Sequence, residues 1–233
     1  MRNTSAIVLL IAMTLWQQKM FAQQQADCDL NKRIWMRSAD TIYVEEISQD
    51  VFIEYAPKEE KMYTVVGRRD SLVQVLVDRY TFIKKLDSCL VVNFAGKQLR
   101  FCDNDSNDKS YSHYEITSYQ QGDHLTIRSM SYEWQTYQLL DLKNQEVYSL
   151  PGFPQLVDQR YILGESHYYG EHDFKIYDKQ TKDSLDFTIG DVLVKEVFLK
   201  DAVLRFEAKL IPACEGDEPT TSRYYEIDLK SGL

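Results

Sequence analysis

An all-β, β-propeller-like fold of five four-stranded blades is the architecture this sequence predicts, and three observations predict it. An aspartate followed within three residues by alternating apolar positions returns at Asp50, Asp87, Asp123, Asp158 and Asp201, at gaps of 37, 36, 35 and 43 residues. Between these aspartates lie short runs rich in Val, Ile, Leu, Tyr and Phe, broken by turn residues, which is the pattern of half-buried strands. A second series, Asp103, Asp141, Asp178 and Asp228, closes such runs and opens polar turns. Self-similarity at a fixed period marks repeated supersecondary units, and four strands in roughly 40 residues suit a propeller blade. An open antiparallel meander or a β-sandwich is the alternative arrangement of the same strands.

Residues 1–22 read as a secretory signal peptide. Arg2 supplies the positive start, Ala6 to Trp16 form an apolar run, and cleavage is placed near Ala22. The run is shorter than the ~20 residues that span a bilayer. Cys28 stands too far from it, behind Asp27, to be read as a lipid-attachment site. Losing Arg2 and Lys19 leaves 25 basic residues of 27 against 36 acids, a formal charge of −11 for residues 23–233. That field repels phosphate backbones and anionic surfaces, so no nucleic-acid partner and no membrane insertion after cleavage are expected. No Pro/Gly/Ser-rich linker divides residues 23–233, which read as a single all-β domain, secreted, periplasmic or at the cell surface.

Two strands, Arg33 to Arg37 and Thr41 to Ile47, precede the first repeated aspartate. The stretch from Asp50 then supplies Met62 to Val66. Ser71 to Leu86 carries Leu72, Val75, Leu76, Tyr80 and Ile83 at helical spacing, but its β-branched content favours strand. Leu90 to Phe94 and Lys97 to Phe101 flank Ala95-Gly96 as a hairpin. From Asp158 the strands are Tyr161 to Leu163, Phe174 to Tyr177, Leu185 to Ile189 and Val192 to Leu199. Val203 to Leu210 and Arg223 to Leu229 end the chain two strands short of a unit, so the two N-terminal strands are expected to complete it and close the ring.

Exported cysteines pair. In the Ala95-Gly96 hairpin, positions whose numbers sum to 191 lie opposite, which places Cys89 against Cys102. Cys28 and Cys214 are left to join the N-terminal arm to the last unit.

No Gly-x-Ser-x-Gly elbow, His-Glu-x-x-His, phosphate-cradling loop or Cys-x-x-Cys occurs. Asp103, Asp105 and Asn107 place oxygens at alternate positions, as Ca²⁺ ligation requires. The EF-hand pattern then fails at Asp108, where glycine belongs, and at Tyr114, where glutamate belongs. A polar turn is the expected identity of this segment, with no cofactor. His167, Glu171, His172 and Asp173 could hold a transition metal, but a hairpin loop with incidental histidines explains them more simply.

The repeated aspartates suit turns on one face of the scaffold. Loops on the other vary in length and composition, and Tyr132, Trp134, His167, Tyr168, Tyr169 and His172 there offer amphipathic surfaces for a carbohydrate or a protein ligand. The expectation is therefore a non-catalytic exported binding protein. A carbohydrate-active enzyme using carboxylates in a central channel, or a structural component of a cell-surface assembly, are the alternatives.

Overall fold

The computed structural model describes residues 34–36, 42–55, 69–106, 110–120, 123–157, 159–210 and 222–229. The expected signal segment, the Cys28–Cys214 pairing and Asn107 lie outside them. The described residues form antiparallel strands in four sheets, with two short helices. They divide into two compact units. The middle unit takes its residues from 57–168 and 173–186, and the terminal unit from 1–56, 169–172 and 187–232.

At the start of the chain come β1 (Ile34–Met36), β2 (Glu45–Ile47) and α1 (Gln49–Tyr55). The helix has a plain cause. The Ser48 carbonyl accepts the Phe52 N–H at 3.1 Å, its hydroxyl accepts the Val51 N–H at 3.4 Å, and Asp50 sits in the first turn against the positive end of the dipole. Asp50, expected to mark a blade turn, thus starts a helix instead.

The middle unit opens with α2 (Arg69–Arg79), where a strand was expected over 71–86. Helical spacing prevails over β-branched content there, because it buries Leu76 and lays Val73, Val77 and Tyr80 against the same core. A three-stranded sheet follows: β3 (Ile83–Leu86), β4 (Cys89–Phe94) and β5 (Lys97–Cys102). The β4–β5 register runs from Phe94 opposite Lys97 to Cys89 opposite Cys102, as the two-residue turn dictates. Ala95 and Gly96 have φ of 51° and 73°, the left-handed pair of a type I′ turn. Cys89 and Cys102 are disulfide-bonded.

Next comes the sheet of β6 (Ser112–Gln120), β7 (His124–Ser131), β8 (Gln135–Asp141) and β9 (Glu146–Leu150), in that order. Its pleat serves two cores. Ile116, Leu125, Ile127 and Leu140 join Leu76, Ile83, Leu90, Val92 and Phe101 in one cluster. Tyr137, Leu139, Tyr148 and Leu150 join Ile162 in another, with Phe153, Leu156 and Tyr177 against it. Alternate residues thus enter opposite cores, as period-2 geometry requires.

A five-stranded sheet has the order β1, β13 (Ser184–Gly190), β12 (Glu171–Asp178), β11 (Tyr161–Tyr168) and β10 (Gln155–Val157). In the terminal unit, β14 (Val192–Lys200), β15 (Val203–Leu210), β16 (Arg223–Asp228) and β2 form a four-stranded sheet in that order. α1 buries Phe52 against it, with ring centroids 5.1 Å from Phe198 and 4.9 Å from Tyr224.

The repeat therefore has four sheets among the described residues, where five blades were expected. Asp87, Asp123 and Asp201 each occupy the turn between the first and second strands of their sheets, and Asp158 lies outside the described residues. Asp103, Asp141, Asp178 and Asp228 each stand at the end of the third strand. Asp50 supplied the surplus count. The N-terminal strands also separate: β2 pairs with β16 as expected, whereas β1 pairs with β13, Ile34 opposite Ile189. β14 belongs with β15 and not with β13.

Candidate ligand-binding site

Two hairpin tips carry most of the residues expected to bind. Tyr132 and Trp134 lie in the β7–β8 turn and are 70% and 56% exposed. The turn is pinned from both sides. Ser131 N–H donates to the Trp134 carbonyl at 2.8 Å and its hydroxyl donates there at 3.0 Å, while Trp134 N–H reaches the Ser131 hydroxyl at 3.3 Å. The indole is thus displayed on a backbone that three short-range bonds hold in place.

Tyr168 ends β11 and is 40% exposed, and Tyr169 opens the turn and is 87% exposed. Tyr169 and Gly170 have φ of 48° and 83°, again the type I′ signature. A bulky residue at positive φ is disfavoured, so Tyr169 occupies this turn against its backbone preference. His167 is exposed beside them. His172 differs: β12 begins at Glu171, and its inward positions 172, 174, 176 and 178 are all buried, leaving His172 only 5% exposed. It belongs to the interior and not to the recognition surface. The same alternation turns Glu171 and His172 to opposite faces, which dissolves the histidine–carboxylate metal set.

The oxygen-rich segment after β5 is also committed to the protein. Asp103 Oδ1 accepts the Tyr114 N–H at 2.7 Å and Oδ2 faces His113 Nδ1 at 3.2 Å. Asn104 exchanges backbone bonds with Ser112 and donates its amide to the Ser110 carbonyl at 2.8 Å. Asp105 is exposed, and among the described residues no group of three or more His, Cys, Asp or Glu is placed to hold a metal.

The folded segment borders a cavity of about 460 Å³ between α2, the β3–β5 sheet and β6. Leu90, Phe101, Tyr114 and Ile116 line it, together with Asp103, His113 and Glu115. Glu115 is paired with Arg128 on the adjacent strand. These residues come from separate stretches of chain. The one local signal is the alternation of His113 and Glu115 with Tyr114 and Ile116.

A charged cluster occupies the turns at the opposite end of β8. Asp141 and Asp178 are both almost fully buried. Burial opposes the Asp141 charge, but the backbone and side-chain amides of Asn144, with His124 and Lys179, outweigh it and hold the carboxyl below its usual range. The Arg160 guanidinium, donating through Nε at 3.1 and 3.0 Å, does the same for Asp178, with the Gln180 N–H helping at 2.8 Å. Glu146 is held down by Lys182 and Tyr148, and burial with Glu146 pushes the Tyr148 phenol up. Burial opposes the Glu207 charge in β15, but Lys195 and Ser222 hold it low. Every carboxylate with a shifted pKa among the described residues is therefore lowered. Asp141 and Asp178 brace their turns through these bonds, and Glu207 ties β15 to β14 through Lys195.

No protein-family model matches the chain, and no curated protein matches its sequence, so the residues themselves carry the functional argument.

Proposed function

We propose that the chain is an exported, non-catalytic binding protein that takes a carbohydrate on the aromatic β7–β8 hairpin tip. The observation that carries this is Trp134, with its ring exposed and its turn clamped on Ser131. Exposed aromatic faces on rigid backbones stack on the apolar faces of sugar rings with little ordering entropy to lose. Tyr169, exposed on a separate turn, offers an aromatic face of the same kind. Export is supported by the N-terminal apolar run and by the Cys89–Cys102 disulfide, which suits an oxidising compartment. A propeller-like scaffold is supported by the common aspartate positions in four sheets and by β2 supplying the fourth strand beside β16.

Tryptophan fluorescence titration against a panel of soluble polysaccharides tests the reading. At least one glycan should shift the emission, and Trp134→Ala should remove that shift while leaving the melting temperature unchanged. If no glycan binds, or if Trp134→Ala binds as wild type does, the reading is wrong. Crosslinking that captures a protein at Trp134 with no glycan response would transfer the surface to a protein partner.

A further inference from the structure

The cavity beside α2 takes no part in the aromatic-tip reading, yet its lining has the features of a ligand site. Its volume of about 460 Å³ falls within the ~300–1,000 Å³ typical of small-molecule sites. The floor is apolar, with Leu90, Phe101 and Ile116 all buried. The polar wall is rich in acceptors. Asp103 is fixed by the Tyr114 N–H and by His113 Nδ1. With Nδ1 turned to the carboxylate, the imidazole presents Nε2 as its other polar atom. Glu115 presents carboxylate oxygens and is paired with Arg128. Among the lining residues Lys85 is the one Lys or Arg, and it is exposed. The rings of Phe101 and Tyr114 lie 5.6 Å apart and tilted, offering π surface that attracts cations. The formal charge of −9 over the whole chain favours the same sign of ligand.

We propose that this cavity is a second binding site, for a small organic cation: a primary ammonium carried on an aromatic or branched aliphatic body. The ammonium donates to the wall formed by Asp103, His113 and Glu115, and the body lies on Leu90, Phe101 and Ile116. Glu115 is offset by Arg128, so Asp103 is the carboxylate that discriminates: an anion is repelled by it, and a neutral alcohol has no charge to offer it.

The test is amide NMR on the exported chain with phenethylamine, its neutral counterpart 2-phenylethanol and the anion 3-phenylpropionate. Phenethylamine should give saturable shifts confined to residues 85–90, 101–104 and 113–116, and should bind at least about tenfold more tightly than the alcohol. The anion should not bind. Asp103→Asn should weaken the amine by about tenfold or more. Gln74 lines the cavity from the exposed side of α2, so Gln74→Trp should block it with no loss of melting temperature, whatever Asp103→Asn does to folding. Lys85→Glu should tighten the amine. Equal binding of amine and alcohol, shifts elsewhere in the chain, or no saturable shift at millimolar amine would overturn the proposal. So would loss of amine binding in Trp134→Ala, since that would place the amine on the aromatic tips. Failure of the glycan titration leaves this result untouched.

Discussion

Cys89 and Cys102 face each other across the β4–β5 hairpin, with Cα atoms 3.9 Å apart and their sulfurs bonded. The bond closes a loop of sequence separation 13. Loops of this length are stabilised by about 3 kcal/mol in the chain-entropy account. The double variant Cys89→Ser with Cys102→Ser should therefore lower the urea midpoint by an amount equivalent to about 2–3 kcal/mol. Adding reductant to wild type should reproduce the loss, and adding it to the variant should change nothing.

The turn of that hairpin is imperfectly filled. Ala95 occupies a left-handed position that glycine or asparagine takes with less strain. Ala95→Gly or Ala95→Asn should raise stability by about 0.5–1 kcal/mol, and Ala95→Val should lower it. Chemical denaturation of the three variants decides the point.

Gly152 follows β9 and is pressed against β11. A Cβ there would stand 1.5 Å from the Glu165 carbonyl oxygen, and one at Gly164 would stand 2.7 Å from Leu150 Cβ. Backbone cannot yield as a flexible side chain can. Gly152→Ala should cost about 3 kcal/mol or more, by overpacking and loss of local register. A melting curve close to wild type would show that the two segments are not in contact.

Acid should weaken the protein in two stages. Burial, the largest influence on His124, lowers its pKa from 6.5, and Lys179 adds to this, while Asp141 and Asp123 oppose it. The folded state thus holds the ring neutral where the unfolded chain would protonate it, so stability falls as pH drops below 6.5. Asp141 and Asp178 have pKa values below 3.8, so their contribution is complete above that value and is lost as pH falls further. Urea midpoints from neutral pH to pH ~3 should show both stages. His124→Gln should flatten the first, weaken the Asp141 part of the second and leave the Asp178 part.

Much of the local geometry was legible in the residues. The Ala95-Gly96 turn fixed the register that brings Cys89 to Cys102, because a two-residue hairpin leaves no choice of pairing. Ser48 and Asp50 carried a helix start that the aspartate repeat masked, since aspartate serves a helix N-terminus and a strand turn equally well. Over 71–86, β-branched content and helical spacing conflicted: the burial of Leu76 favoured a helix as far as Arg79, and Ile83–Leu86 is strand as expected. Tyr132, Trp134 and Tyr169 were recognisable as loop aromatics by their turn context. The cavity was not recognisable, because Leu90, Phe101 and His113 meet only after three elements have folded onto one another. His172 was misplaced by one strand boundary, a single residue being enough to reverse a side chain's direction.

The sheet of β6–β9 is shared property of two cores, and this sets how the middle unit comes apart. Peeling the β7–β8 hairpin would strip Leu125, Ile127 and Leu140 from one cluster and Tyr137 and Leu139 from the other in the same event. Local opening of either cluster alone therefore has no separate low-energy route through these strands. Their amides should exchange with solvent only in the global unfolding event. The hairpin tip bearing Trp134 is thereby anchored on two strands whose separation disturbs both cores.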